Sequence, residues 1–202
     1  FAAARDRVDT IRTLLEHGAD PAITSKTVDL VTEGRLVGLA RERQRRVLTA
    51  FQADDVTPTA SQMQAAVLAG RARYLSGKVP EREEDDDARP PTIKTKGGLT
   101  ALLHAARQGH IGAATALLDG GTDIDQVSAG DATSPLLMAT INAQFDLAML
   151  LIQRGADPNL AATLNGVAPL WAAINAEWQP RTRFPQPQQR ELQEATYLDV
   201  MA

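Results

Sequence analysis

The sequence predicts an all-α solenoid of helix-turn-helix units, and three observations support that fold class. A two-helix motif occurs twice at a spacing of 34 residues, which separates three pairs of equivalent residues: Thr100 and Ser134, Leu117 and Leu151, Gly121 and Gly155. Each copy opens with a Thr-Ala-Leu or Ser-Pro-Leu triplet followed by alanine, as stacked helical repeats of about 33 residues do. Hydrophobic content is 44% but aromatic content only 4%, which suits close helix-on-helix packing through small side chains.

Charge and composition narrow the range of partners and sites. The formal net charge is −4 and the pI is near 5.4, which argues against a nucleic-acid backbone as the main partner. The absence of cysteine excludes disulfides and cysteine-ligated metals, but leaves the redox compartment open. No apolar run reaches the length of about 18 residues expected of a membrane span.

Residues 1–22 are predicted to form a partial repeat. A short helix is expected to end near Ala4, and a second to run from Val8 to His17. Helical spacing predicts a buried face on that second helix, formed by Val8, Ile11, Leu14 and Leu15. Gly18 is expected to end it with a positive φ. Because the chain opens in mid-pattern and its last repeat has no closing turn, we expect a fragment of a longer protein.

Residues 23–94 break the repeat register and are predicted to be a helical insertion with an acidic linker. One helix is expected over residues 27–52, and another from a Thr57-Pro58 cap down to Gly77. Met63, Val67 and Tyr74 are expected to form the apolar face of the second helix, which would pack with the first as a hairpin. The acidic run 83–87 and Pro90-Pro91 predict a mobile linker over residues 78–91.

An arginine cluster in the first inserted helix has three interpretations. Its members are Arg41, Arg43, Arg45 and Arg46. They could form a basic contact patch for an acidic partner or bind the chain's own acidic run at 83–87. They could also form one solvated helix face, which is the commoner case.

Residues 95–128 and 129–162 are predicted to be two complete repeats. Thr100 and Ser134 precede their first helices and are read as N-caps rather than nucleophiles, since neither has a candidate base at motif spacing. Small residues should let neighbouring helices approach closely: Ala105, Ala106, Ala113 and Ala114. The shared core should consist of Leu102, Leu117, Leu136, Leu147, Leu150 and Leu151.

Residues 163–202 are predicted to be a further, truncated repeat with a Pro-rich loop insertion. It opens at Ala168-Pro169-Leu170, again 34 residues after the preceding copy, and Trp171 is expected in the core. Prolines between residues 178 and 187 exclude a helix there, while Trp178 and Phe184 suggest that the loop packs down. Helix is expected to resume over residues 191–202.

These motifs resemble the ankyrin repeat family. The family resemblance rests on the two in-phase copies between Gly98 and Asn159. A closer resemblance to one subgroup rests on residues 96–109, on the Gln126 to Asp131 turn and on the loop at 178–187, and it extends to residues 8–21. Within the family the chain resembles bacterial members of Acidobacteria- and Gemmatimonadota-like origin. Members of that group often begin with a secretion signal, so the resemblance implies a periplasmic or exported protein, with a cytoplasmic location left open.

Catalytic, cofactor and metal sites are not predicted. His104 and His110 are six residues apart, which does not place them on one helical face, and His110 is expected to make structural bonds between helices. The aspartates at 119, 123, 125 and 131 do not match a calcium loop and are read as helix and turn caps. Gly97-Gly98 lacks the lysine and Ser/Thr of a phosphate loop.

The predicted function is that of a non-catalytic protein-interaction scaffold. The resemblance implies that a protein partner binds to the turn before each first helix and to the C-terminal end of that helix. The residues that this assigns are Lys96, Gly97, Leu99, Arg107 and Gln108 in one repeat, Gly130, Asp131, Thr133, Ile141 and Asn142 in the next, and Leu164, Asn165, Val167 and Asn175 in the last. The alternative is a structural subunit making lateral contacts in a larger complex or filament. An enzyme whose active domain lies outside this sequence stays open as a third class.

Overall fold

The computed structural model describes residues 1–51, 57–80, 94–178 and 192–202, and for residues 177 and 178 the backbone only. The predicted acidic run at 83–87 and the proline-rich stretch at 179–187 lie outside these ranges. A short 3-10 helix spans Ala3–Arg5. The other elements are α1 (Val8–Glu16), β1 (Val28–Asp29), α2 (Leu30–Phe51), α3 (Ala60–Leu75), β2 (Thr95–Lys96), α4 (Ala101–Gln108), α5 (Ile111–Asp119), α6 (Pro135–Ile141), α7 (Phe145–Gln153), α8 (Pro169–Trp178) and α9 (Tyr197–Met201).

The chain divides into two compact units. The repeat unit comprises Phe1–Thr27 and Lys96–Ala202, and the inserted unit comprises Val28–Thr95. Residues 23–27, which the sequence analysis assigned to the insertion, group with the repeat unit because Ser25 is hydrogen-bonded to Gly98 and Leu99. The two strands pair as a small sheet where the inserted segment begins and ends.

Helices of the repeat unit form two rows. The 3-10 helix, α4, α6 and α8 pack in sequence as one row, and α1, α5 and α7 pack as the other. The predicted core leucines are buried except Leu150, which is half-buried, and the four predicted alanines are fully buried between the helices. Alanine at these positions allows short distances between helix axes, so each repeat completes the core of its neighbour.

Two predicted core residues are exposed. Leu14 on α1 is 49% exposed, so the buried face of that helix centres on Ile11 instead. Trp171 on α8 is 55% exposed. Its equivalent on α6, Leu137, is buried because it packs against Ala172 of α8, and no later first helix within the described ranges covers Trp171 in the same way.

The last helix is shorter than predicted. Helix was expected from residue 191, but α9 begins at Tyr197, where Thr196 and Asp199 form a capping box. The preceding residues bind α7 instead of extending the helix. The backbone N–H groups of Glu194 and Ala195 donate to the Asp146 carboxylate at 3.1 and 2.6 Å, so these N–H groups are satisfied outside a helix.

The inserted unit is the predicted antiparallel hairpin of two helices, α2 and α3. Tyr74 of α3 donates a hydrogen bond of 2.6 Å to Glu33 of α2, and this bond raises the pKa of Tyr74 above its ordinary value. A Cβ added to Gly70 would lie 3.0 Å from the Ala40 carbonyl oxygen, so the helices cross closely at that glycine.

The sequence was wrong about two details of α3. Its N-cap is Thr59, in a capping box with Gln62, rather than Thr57. Its buried residues are Ala66 and Gly70, while Met63 and Val67 face solvent. Ala66 and Gly70 form the contact with α2 because small side chains allow the two helices to approach closely. None of the helices in the described ranges combines the length and apolar character needed to cross a bilayer.

Candidate interaction surface

A finger turn, our name for the chain reversal before each first helix, occurs three times in the repeat unit. Its defining bond runs from a backbone N–H to a carbonyl at equivalent positions of successive repeats: Ser25 to Leu99, Ser128 to Thr133 and Ala162 to Val167, each 2.9 Å. Ser128 and Thr133 are 5 residues apart, whereas Ser25 and Leu99 are 74 residues apart. The inserted unit therefore interrupts the chain within the first finger turn, and the turn keeps the defining hydrogen bond of the other two.

Neighbouring finger turns are hydrogen-bonded to one another. The N–H of Ala129 donates to the Gly98 carbonyl at 2.9 Å, and that of Thr163 donates to the Asp131 carbonyl at 2.8 Å. Backbone bonds between successive turns hold their tips at a fixed spacing. The exposed side chains of these turns are thus presented on a pre-organised backbone.

The middle finger turn is braced by Asp131. Its Oδ1 accepts hydrogen bonds from the hydroxyl groups of Ser128 at 2.5 Å and Thr133 at 2.8 Å. Thr133 is 4% exposed, so its side chain belongs to the interior of the turn. Of the residues predicted here, Gly130 and Asp131 are half-buried.

The other predicted finger residues differ in accessibility. Lys96 and Asn165 are exposed, while Gly97, Leu99, Leu164 and Val167 are half-buried. Gly97 has a positive φ of 91°, and a Cβ there would lie 2.1 Å from the Lys26 carbonyl oxygen. Gly97 is thus required by the geometry of the turn.

The C-terminal ends of the first helices present a second row of side chains. Arg107 and Gln108 are exposed at the end of α4. Ile141 and Asn142 are half-buried at the end of α6, and Asn175 is half-buried on α8. Arg107, Ile141 and Asn175 occupy equivalent positions of three successive repeats. The side chain at this repeat position is therefore basic in one repeat, apolar in the next and a neutral amide in the third.

Caps hold the first helices in place. Thr100 and Ser134 accept hydrogen bonds of 3.2 Å from the N–H groups of Leu103 and Leu137, which confirms the prediction that both are N-caps. His110 makes a 3.3 Å bond to the carbonyl of Ala4 in the preceding partial repeat, which confirms its structural role between helices. His104, on α4, has its pKa lowered from the ordinary value mainly by burial and secondarily by Arg107.

Reactive groups do not converge in the described parts of the chain. In residues 1–51, 57–80, 94–178 and 192–202, no three His, Asp or Glu side chains are placed to hold a metal. An open depression of about 690 Å³ lies beside α7 and α9, lined by Ile111, Asp146, Met149, Leu150, Gln153, Glu194, Ala195 and Asp199. Of its three carboxylates, those of Asp146 and Asp199 accept backbone hydrogen bonds, so they act as an anchor and a cap.

Sequence reasoning missed two residues that join distant parts of the repeat unit. Ser25 pairs with Leu99 across the insertion, and its hydroxyl also accepts a bond from the Leu99 N–H at 3.0 Å. The one signal in the sequence is the 34-residue offset between Leu99 and Thr133. Because Thr133 pairs with Ser128 in its own repeat, the offset indicates that Leu99 needs an equivalent partner. Asp146 anchors residues 194 and 195 through a contact that has no sequence signature.

The comparison with protein-family models identifies these repeats. Residues 63–162 match the family described as Ankyrin repeats (3 copies), a range that begins within α3 and ends after α7. A comparison with curated proteins finds none that matches the chain. The match includes the two predicted repeats at 95–128 and 129–162, but it begins within the segment that the sequence analysis read as an insertion. The chain therefore carries ankyrin repeats, and its fold is an all-α ankyrin-repeat solenoid.

Proposed function

We propose that this chain is a non-catalytic scaffold that binds a protein partner through its finger turns and the C-terminal ends of α4, α6 and α8. Ankyrin repeats generally mediate protein-protein interactions. One observation carries the proposal for these particular residues. Side chains of different chemistry, Arg107, Ile141 and Asn175, stand at equivalent positions along one row, and the N-caps of α4 and α6 are already satisfied by Thr100 and Ser134.

Pre-organisation supports the same proposal. A partner that binds a rigid row of side chains does not have to order the loops that carry them, so less of the contact energy is lost to entropy. The bonds from Ala129 to Gly98 and from Thr163 to Asp131 supply this rigidity. Among the predicted residues, Lys96, Arg107, Gln108 and Asn165 are the most accessible contacts. Thr133 and Asp131 support the surface from within.

A triple variant tests the proposal. Replacing Arg107, Gln108 and Asn142 with serine removes side chains from the proposed row, and we expect loss of partner binding with almost no change in melting temperature. Asn142 is the most sensitive of the three, since its side chain donates to the Met138 carbonyl at 2.8 Å. Its single variant therefore serves as the stability check.

The matched control changes polar side chains outside the row. Arg12 and Gln153 are exposed on α1 and α7, in the row of second helices. Proteins from the source cell that bind wild type and the Arg12/Gln153 variant, but not the triple variant, would support the proposal. Equal binding by all three proteins would refute it, and a large loss of stability in the triple variant would show that those side chains are structural.

A second candidate is a structural or assembly role, and an exposed apolar surface favours it. Leu170 and Trp171 on α8 are 56% and 55% exposed. Apolar side chains at such positions can support lateral contacts in a larger complex. Light scattering of the purified chain tests this candidate: a monomer at all concentrations would argue against it, and mass growth abolished by Trp171→Ser would support it.

The proposal also includes a periplasmic or exported location in a bacterium. The resemblance implies it, and the absence of cysteine is compatible with an oxidising compartment. Fractionation of source cells with an antibody against this chain would test the assignment, and recovery only with the cytoplasm would overturn it.

A further inference from the structure

The inserted hairpin exposes an apolar surface that its own packing leaves uncovered. Met63 and Val67 on α3 are 49% and 51% exposed, while the residues that α3 buries against α2 are Ala66 and Gly70. Gly70 lies where the two helices approach most closely, because a Cβ there would be 3.0 Å from the Ala40 carbonyl oxygen. The contact is made through small residues, and Met63 and Val67 keep about half of their surface exposed.

The same hairpin is strongly basic. Helices α2 and α3 contain seven arginines and two glutamates. Both glutamates already have partners within the hairpin, since Glu33 accepts from Tyr74 and Glu42 pairs with Arg46. The arginines at positions 41, 43, 45 and 71 are exposed. A partner that binds this surface must therefore supply negative charge.

Helix geometry brings the apolar and basic side chains onto one side. The contacts from Glu33 to Tyr74 and from Ala40 to Gly70 show that α2 and α3 are antiparallel, since one residue number rises as the other falls. With 100° between successive residues of a helix, Arg41 and Arg45 lie on one flank of the α2 contact line, and Arg43 and Arg46 lie on the other. By the same geometry Val67 and Arg71 lie on the flank of α3 that adjoins Arg41 and Arg45. Met63, seven residues before Gly70, lies nearer the contact line and is 49% exposed.

We propose that this surface, the basic apolar face formed by Arg41, Arg45, Met63, Val67 and Arg71, binds an acidic amphipathic helix of a partner protein. Leucine-like side chains of that helix would cover Met63 and Val67, and its carboxylates would pair with the flanking arginines. Burial of the apolar pair would provide affinity, while charge complementarity would select the partner and speed association. This binding mode uses no finger turn and no first-helix end, so it is independent of the function proposed above.

The arrangement of charges favours a protein helix over an anionic lipid surface. A helix that lies in a membrane interface keeps its charges on one face and its apolar residues on the opposite face. On α3 the two kinds alternate: Val67, Arg71 and Leu75 follow one another at four-residue spacing along one side of the helix. Alternating acidic and apolar residues of a partner helix match this pattern.

A designed peptide provides the probe. It is a fluorescent helical peptide with leucines at every third or fourth position and glutamates beside them, and it is titrated with the full chain. The comparison peptides are a scrambled sequence of the same composition and a version with lysine for glutamate. We expect binding of the first peptide only, weakening with added salt. Failure of the first peptide to bind, or equal binding of the scrambled peptide, would overturn the proposal.

Paired variants locate the site. Arg41→Gln with Arg45→Gln, and Met63→Ser with Val67→Ser, should each weaken peptide binding about tenfold or more, as truncation of central contacts does. The matched control, Arg43→Gln with Arg46→Gln, removes the same charge from the opposite flank of α2 and should retain most of the affinity. Equal losses in the two arginine pairs would show non-specific charge attraction and refute the proposed face.

A final experiment distinguishes binding to a protein helix from binding to an anionic lipid surface. Vesicles of phosphatidylcholine with phosphatidylglycerol are added to the chain, and sedimentation of the chain with the vesicles is measured. We expect no sedimentation at salt concentrations where the peptide binds. Sedimentation that is lost in the Met63/Val67 variant would assign the face to a membrane and overturn the protein-helix proposal.

Discussion

Gly97 is the residue at which the finger-turn geometry can be tested most sharply. Replacement by alanine perturbs it in two ways. Its φ is +91°, a region that costs other residues about 1–2 kcal/mol. The added Cβ would also lie 2.1 Å from the Lys26 carbonyl oxygen, which is backbone and cannot move away without moving the turn.

The loss of stability caused by the contact with Lys26 can be estimated from the hydrogen bonds that it would disturb. Displacing residues 26 and 97 strains the bonds from Gly98 to the Ser25 carbonyl and from Ser25 to the Leu99 carbonyl, 3.1 and 2.9 Å long. Each contributes about 1 kcal/mol net. Adding the backbone cost, we expect Gly97→Ala to lower the free energy of unfolding by about 2–4 kcal/mol.

Gly155→Ala is the matched control. Its φ of +90° is almost the same, but a Cβ there meets nothing within 4 Å, so only the backbone cost of about 1–2 kcal/mol applies. Urea unfolding followed by far-UV circular dichroism measures both variants. Equal losses of stability would refute the reasoning, because they would show that the contact with Lys26 does not constrain the turn.

Two further predictions concern single side chains of the repeat unit. Burial lowers the pKa of His104 below its ordinary value of 6.5, so the unfolded chain takes up a proton first as the pH falls, and stability should decrease from about pH 6.5 downward. His104→Met, which copies the residue found 34 positions later, should flatten this part of a plot of melting temperature against pH, and an unchanged slope would contradict the assignment. Asp146→Asn removes one of the two carboxylate oxygens that accept from Glu194 and Ala195, and should cost about 1–3 kcal/mol. Hydrogen exchange should then show faster exchange across Tyr197–Met201, and unchanged protection there would mean that α9 is held by its apolar contacts alone.

Repeat spacing predicted most of the ankyrin core. The positions of Leu102, Leu136 and their alanine neighbours follow from a fixed offset, and all are buried. The caps at Thr100 and Ser134 were predictable for a related reason: a hydroxyl residue directly before an apolar helix has one favourable role. Helix capping is a local property and core burial follows the repeat period, so both can be predicted from the sequence.

The sequence did not predict how the burial of equivalent residues changes with their position in the stack of repeats. Leu136 is fully buried and Leu170 is 56% exposed, although they occupy equivalent positions and are the same residue type. What differs is the following helix: α8 covers α6, and no described helix covers α8 in the same way. The buried face of α3 shows the same limit, because helical periodicity favoured Met63 and Val67 while close packing selected Ala66 and Gly70.

By itself the sequence determined the all-α repeat class and the N-caps of α4 and α6, and it predicted two complete repeats in register and a helical insertion. Tertiary structure alone decided that Ser25 and Leu99 meet across that insertion, that Asp146 anchors the return of the chain to α9, and that the hairpin turns its large apolar residues outward. The physical reason is the range of the interactions. Periodicity and capping act within a few residues of the chain, whereas these contacts depend on which surfaces meet after the helices have packed.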